Sequence, residues 1–275
     1  MLEKSKLDRL AEVVDELTIT ERDFTGDDMP EVGQDIEKIP YFFAFTALQM
    51  CGTGRKVDGE VGCSRIWSRF YEKWCEDRHF FDPGTAAGTS YAEMEKVLDF
   101  SDRGLWISDK DLYWRWQLHR GLGRHISTIP DFSFANMRIA FLEGFNYDPF
   151  EKKANLLRMI LACRPERFVD NCQYGPVVDY HVMRLLIRTG VIPFREAMQS
   201  KNMAMCERML RESAFSAMVN LKMKTGKSYN QLDTLFWSTG RQICRPFKIR
   251  CRHCPFEQVC SNKSAIEIRI DTMNY

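Results

Sequence analysis

The chain lacks any run of about 18 apolar residues, which excludes a transmembrane helix. It also lacks an excess of either charge: 39 Lys and Arg stand against 38 Asp and Glu, a net charge of +1. No global field therefore draws it to a polyanion or a membrane surface, and such affinity has to come from a local patch. The first residues, MLEKSKLDRLAEVVDEL, are charged and amphipathic with no apolar signal core, so a cytoplasmic protein without a secretion signal is expected. Internal repeats and low-complexity tracts are missing. Alternating apolar–polar runs are scarce, and Ala265–Ile270 (AIEIRI) is the only decent one. Cysteine is present, yet ten in 275 residues is about 4%, short of the ~8–10% of disulfide scaffolds.

What is present is an ordinary globular composition, 44% hydrophobic and 28% charged. The length suits about two domains at ~150 residues each. Apolar residues recur at three- and four-residue spacing in Leu7–Leu17, Ile36–Met50, Ile66–Trp74, Tyr91–Leu98 and Leu112–Leu122. The same spacing runs through Phe134–Phe141, Leu156–Cys163, Val182–Ile187, Ala204–Met223 and Leu232–Ile243. An all-α protein of two helical lobes is predicted. Turn signals fall at Gly52 through Gly62, Asp82-Pro-Gly84 through Gly88, Gly121–Gly123 and Tyr174-Gly-Pro176.

Thiols in a cytosolic protein point to metal binding, catalysis or burial, and spacing decides among them. Cys51, Cys63, Cys75, Cys163, Cys172 and Cys206 are scattered and read as small core residues. The other four form Cys244-x6-Cys251-x2-Cys254-x5-Cys260. Thiolates this close in sequence can converge on one centre, and four of them select zinc or an iron–sulfur cluster. Structural zinc usually takes two short-spaced pairs, whereas only Cys251–Cys254 is short here. The asymmetry favours a cubane with four separate iron corners over a zinc tetrahedron, with unligated thiols as the third reading. The same stretch supplies the local basic patch. Arg241, Arg245, Lys248, Arg250 and Arg252 precede the next acid, Glu257.

The cysteine spacing, together with Trp237-Ser-Thr-Gly240-Arg241-Gln-Ile-Cys244 before it, resembles the [4Fe–4S] loop of the helix-hairpin-helix DNA glycosylases, in the endonuclease III and adenine-glycosylase branch. The resemblance implies a [4Fe–4S] cluster on Cys244, Cys251, Cys254 and Cys260, with zinc as the alternative. It further implies that the basic loop faces a DNA phosphate backbone, where fixed positive charges release counterions. A six-helix barrel over 36–164 would form one lobe, and 1–35 with 165–275, including the loop 244–260, the other. The active site would lie in the cleft between them. A nucleoid-associated location follows if the source is prokaryotic.

Val178-Asp179-Tyr180-His181-Val182-Met183-Arg184 resembles that family's Val-Asp-x-His-x-x-Arg segment, whose Asp is catalytic. Asp179 also follows a Gly-Pro turn and precedes an apolar run, so it reads equally as a helix N-cap. Breaking an N-glycosidic bond builds positive charge on the sugar, which an ionised carboxylate stabilises. The same group can deprotonate the attacking water. Tyr180 stands where the family usually has Thr, which suggests a reshaped pocket and makes Tyr180 a candidate substrate contact.

Leu142-Glu-Gly144-Phe-Asn-Tyr-Asp148-Pro149-Phe-Glu-Lys152-Lys153-Ala154-Asn155 occupies the place of the family's glycine-rich hairpin. Lys152-Lys153-Ala154-Asn155 is similar to the start of its second helix, but the loop is longer and the second glycine is gone. Lys152, or else Lys153, takes the position of the Schiff-base nucleophile in the lyase-active members. Exposed first-turn lysines are the plainer reading. Leu48-Gln49 resembles the element whose Gln fills the gap left by an extruded base. Gly52-Thr-Gly54-Arg55-Lys56 is a turn and not a P-loop, because the Gly-Lys-Ser/Thr ending is absent. Tyr113-Trp114-Arg115-Trp116 could stack a base, though its aromatics are expected to split between core and surface.

The expected function is excision of a damaged or modified base from duplex DNA by base flipping and glycosidic cleavage, with abasic-site lyase activity through Lys152 as an extension. Two alternatives stand beside it. One is an N-glycosidase of a modified nucleoside, nucleotide or RNA base, motivated by the lost hairpin glycines. The other is a non-catalytic iron–sulfur protein that binds nucleic acid. No membrane partner is expected.

Overall fold

The structure, a computed structural model, describes residues 2–50, 63–99, 107–136, 138–170, 174–193, 203–245 and 250–261. The side chains of 63–64 and 203–206 are outside that description, as are Lys248, the turn expected at 52–62 and Ala265–Ile270. Among the described residues there are ten α-helices and no β-strand, so the protein is all-α. None of these helices is long and apolar enough to cross a membrane.

Local sequence explains where the helices begin. α1 (Lys4–Glu16) buries Leu7, Leu10, Ala11 and Val14, one stripe at three- and four-residue spacing. Ser90 and Ser108 cap α5 (Tyr91–Val97) and α6 (Asp109–Ser127), each side chain accepting from a backbone N–H of the first turn. α10 (Tyr229–Ser238) starts with a capping box, the Ser228 and Gln231 side chains each taking the other's backbone N–H.

The chain divides into two units, residues 1–22 with 174–273, and residues 23–173. In the first, α1, α8 (Tyr180–Arg188), α9 (Met203–Thr225) and α10 share one core. Leu10, Val14, Met183, Leu186, Ala217, Met218, Leu232 and Phe236 are fully buried in it. The loop after α10 adds Cys244, Phe256 and Val259 to the same core. α8 is its centre, buried from His181 to Arg188.

The second unit holds α2 (Ile39–Leu48), α3 (Cys63–Glu76), α4 (Pro83–Gly88), α5, α6 and α7 (Lys152–Cys163). α2 is buried at nearly every position, as an all-apolar helix must be. Its Phe42 meets Phe43, Trp74 and Phe81 at ring-centroid distances of 5.2, 5.4 and 5.2 Å. Residues 23–35 belong to this unit. The fully buried Arg164 guanidinium donates to the carbonyls of Phe24 (2.7 Å) and Pro30 (3.1 Å), and the Trp67 indole donates to the Asp28 carbonyl (2.9 Å).

Several expectations change. Gly121 and Gly123 do not mark a turn but lie inside α6. A methyl group on Gly123 would stand 2.6 Å from the Ala87 nitrogen and 2.8 Å from the Pro83 carbonyl oxygen, so this glycine admits α4 against α6. The Asp82–Gly88 stretch, expected as a turn, forms α4, with Pro83 in its first turn where a missing N–H costs nothing. Phe134–Phe141 is not an α-helix: its described residues form turns and a 3-10 turn at Ile139–Phe141. Phe134 packs on Tyr41 and Phe132, at 5.5 and 4.8 Å, in tertiary contacts that override the helical spacing. Of the scattered cysteines, Cys75 is exposed and Cys163 half-buried rather than core, while Cys51 and Cys172 and the Cys63 and Cys206 side chains lie outside the described residues.

Candidate functional site

The site is built on the two ends of α8. At its start, Asp179 is in extended backbone, and its Oδ1 accepts from the N–H groups of His181 (2.8 Å) and Val182 (3.0 Å). A cap of this kind contributes about 1 kcal/mol. Oδ2 makes no hydrogen bond among the described residues, and the residue is 8% exposed. The approach to Asp179 is braced from α9, where the buried Arg211 pairs with Glu207 (2.8 Å) and donates to the Val178 carbonyl (3.2 Å). Tyr180, the first helical residue, is exposed, and its ring lies 4.0 Å from that of His181.

His181 is enclosed. Burial drives its pKa down to about 4, with the Asp179 carboxylate opposing and the Arg184 guanidinium adding to the fall, so the ring is neutral at pH 7. Its Nδ1 lies 2.9 Å from Arg184 Nη2, which can only donate, so the neutral ring carries its proton on Nε2. Arg184 also donates to the carbonyls of Gly240 (2.6 Å) and Cys244 (2.8 Å). Burial lowers its own pKa. The Trp-Ser-Thr-Gly-Arg segment is thereby docked on the Asp-Tyr-His segment. Gly240 is required there, because a methyl group on it would stand 2.7 Å from the His181 Cβ.

Thr239–Ile243 forms a π-helical turn closed by Cys244 N–H to the Thr239 carbonyl (2.8 Å). It delivers Cys244 to the far end of α8. There Arg188 Nη1 donates to Cys244 Sγ (2.9 Å) and to the Arg245 carbonyl (3.1 Å). Cys251 and Cys254 share a 3-10 turn, with Cys254 N–H bonded to the Cys251 carbonyl at 2.8 Å. Cys260 reaches the Arg188 carbonyl through its thiol at 3.4 Å. All four cysteines line one cavity with Leu185 and Arg188 of α8, with Thr189 that follows it, and with Ile243, Phe256 and Glu257. Burial pushes the Cys254 thiol up to about 11, and the three other cysteines add to the rise. Among the described residues no three His, Cys, Asp or Glu side chains are grouped closely enough for a single ion. The four thiols line one cavity without being gathered on one point.

The basic patch follows the same loop. Arg241, Arg245, Arg250 and Arg252 are all exposed, and Lys248 lies outside the described residues. Arg241 and Arg22 both lie on the Trp237 ring, with Cζ 4.8 and 5.3 Å from its centroid.

The remaining candidates belong to the other unit. Gln49 is fully buried, its amide donating to the Arg115 carbonyl (3.1 Å) while Arg115 donates to the Gln49 carbonyl (2.6 Å), a reciprocal lock between α2 and α6. Lys152 opens α7 half-buried, and its backbone N–H donates to the Asp148 carboxylate (2.8 Å). Lys153 is buried, with Nζ 5.4 Å from the Trp114 ring centroid. Tyr113 is exposed, while Trp114 and Trp116 are half-buried, Trp116 donating to the Thr89 carbonyl (2.8 Å).

Sequence reading does not single out Arg188, Arg211 or Glu207. The available signal is a cation at i+4 from Arg184 inside an otherwise apolar helix. The chain matches no family model and no curated protein sequence.

Proposed function

We propose that the protein is a DNA N-glycosylase that flips a damaged or modified base out of the duplex and cleaves its glycosidic bond with Asp179. The observation that carries this reading is the division of labour within one carboxylate: Oδ1 is committed to capping α8, and Oδ2 is left for chemistry. Ionised, Asp179 stabilises the positive charge that grows on the sugar as the C1′–N bond breaks. It then accepts a proton from the water that bonds to C1′. The departing base takes the electron pair of the broken bond and is protonated by solvent, to which Asp179 returns the proton it accepted. The neutral His181 and the buried Arg184 hold the segment in place and take no part in proton transfer. Tyr180, exposed beside Asp179, offers an aromatic face to the sugar or base.

Cys244, Cys251, Cys254 and Cys260 would hold a [4Fe–4S] cluster, zinc being the alternative. A donor set of four thiols around one cavity, with an arginine on one sulfur, fits such a group. Bound there, it would cross-link the loop and fix the spacing of Arg241, Arg245, Arg250 and Arg252 for phosphate contact. The resemblance further implies that the extruded base is received between the two lobes, with Gln49 filling the gap, and that Lys152 supplies a lyase step.

One observation favours a second reading, an N-glycosidase of a modified nucleoside, nucleotide or RNA base. The amides of Phe150 and Lys152, at the start of α7, already donate to the buried Asp148 carboxylate (2.9 and 2.8 Å). They are not open to a duplex phosphate. The deciding experiment measures release of modified bases from a panel of DNA, RNA and nucleosides, with Asp179→Asn as control. Release from duplex DNA that Asp179→Asn abolishes is the expected result. Release from nucleosides or RNA alone establishes the second reading, full activity in the variant reduces Asp179 to a cap, and no release from any substrate leaves a non-catalytic iron–sulfur protein.

A further inference from the structure

We infer that Arg188 is the fixed counter-charge of the Cys244 thiolate and sets the reduction potential of the cluster, an inference that rests on the cluster proposed above. Two arginines one turn apart on α8, Arg184 and Arg188, are 2% and 1% exposed. They divide the loop between them. Arg184 takes the Gly240 and Cys244 carbonyls and His181, whereas Arg188 reaches a cysteine sulfur, with Nη1 2.9 Å from Cys244 Sγ. The same Nη1 holds the Arg245 carbonyl at 3.1 Å, which fixes the guanidinium against the sulfur. Its main-chain carbonyl accepts from the Ser261 N–H at 3.1 Å, so one residue meets the cysteine loop at both of its ends.

A guanidinium does not deprotonate in proteins, and a buried one is costly unless a negative partner faces it. With four thiolates on the cluster, that partner is the Cys244 sulfur. Net charge and hydrogen bonds to the sulfurs are what tune cluster potentials. A positive charge 2.9 Å from a ligand sulfur favours the reduced cluster, which carries one more electron, over the oxidised one. Removing it moves the one-electron equilibrium toward the oxidised cluster by about tenfold, about 59 mV in the midpoint.

The test begins with anaerobically purified wild-type protein, its iron and sulfide content, and a spectroscopic redox titration. Arg188→Gln retains a donor without the charge, and Arg188→Lys retains the charge without the fork. The expected result is a normal cluster content in both, with the Arg188→Gln midpoint lower by about 59 mV and that of Arg188→Lys between it and wild type. A wild-type midpoint in cluster-loaded Arg188→Gln overturns the inference and leaves Arg188 a brace. Should the variants not fold, wild-type protein labelled with nitrogen-15 arginine decides. In its paramagnetic state the cluster must show a hyperfine coupling to an arginine nitrogen, and its absence overturns the inference. A wild-type protein that holds zinc or no metal overturns the cluster reading itself.

Discussion

Gly240 lies so close to His181 that a methyl group on it would stand 2.7 Å from the His181 Cβ and 3.1 Å from the His181 carbonyl oxygen. This close approach joins the segment carrying Asp179 to the segment that leads into the cysteine loop. Gly240→Ala should destabilise the protein by about 1–3 kcal/mol, the usual range for overpacking a tight contact. Denaturant unfolding checks the magnitude. An unchanged midpoint would mean that the two segments are not in direct register.

The cap observed at Asp179 and the catalytic role proposed for it separate by choice of substitution. Asparagine caps a helix about as well as aspartate, while alanine forfeits about 0.5–2 kcal/mol. Asp179→Asn should therefore unfold at the wild-type denaturant concentration and Asp179→Ala earlier, with base release lost in both. Activity that survives in Asp179→Asn while stability falls in Asp179→Ala would reduce Asp179 to a cap.

Acid should destabilise the fold through its buried histidines. His119 is fully enclosed between the Phe45 and Phe80 rings, at 4.5 and 4.7 Å, and neither ring nitrogen has a partner among the described residues. Burial pushes its pKa down to about 3 and, with further contributions, that of His181 to about 4. Unfolded histidine titrates near 6.5. Both folded values lie below the unfolded one, so the unfolded chain binds more protons and stability falls as pH drops below about 6.5. Each group contributes a slope of about 1.4 kcal/mol per pH unit until its folded pKa is reached. His119→Leu should remove one such share from urea midpoints followed between about pH 6.5 and 4. A slope identical to wild type would mean that His119 is not held neutral.

Much of the architecture is legible in the sequence, for reasons that differ by residue. Leu7, Leu10, Ala11 and Val14 announce α1, because a single stripe of apolar residues has one use. The cysteine spacing points to a shared centre; the four side chains line one cavity but are not gathered closely enough for a single ion. The Gly-Pro turn before an apolar run places Asp179 at a helix start, where it stands. Gly123 is illegible because a glycine that admits a neighbouring backbone and a glycine that makes a turn look alike until the neighbour is known. Arg188 is illegible for the mirror-image reason. A cation in an apolar helix reads as surface, and its burial makes sense once the Cys244 sulfur and the Arg245 carbonyl opposite it are known.

Gly123 therefore carries its own prediction. Gly123→Ala would improve helix propensity by about 1 kcal/mol in an exposed helix. Here the added methyl meets the Ala87 backbone nitrogen at 2.6 Å, and backbone cannot rotate away. The net effect should be destabilising, by about 1–3 kcal/mol. Thermal or urea unfolding decides it, and a stabilised variant would show that α4 can move off α6.

The exposed arginines of the loop should act through charge alone. Arg245, Arg250 and Arg252 are exposed, so replacing all three with Gln should leave the unfolding midpoint and the metal content unchanged. Duplex binding should weaken uniformly across sequences, because phosphate contacts position a protein without reading bases. The slope of log affinity against log salt should shallow by about 0.9 for each phosphate no longer neutralised, up to about 2.7 for the three. Sequence-selective weakening would instead place these side chains at base edges. A wild-type protein with no salt-dependent affinity for duplex DNA would move the substrate to a nucleoside or to RNA. In that case Arg241 on the Trp237 ring, rather than the outer arginines, becomes the charge that meets it.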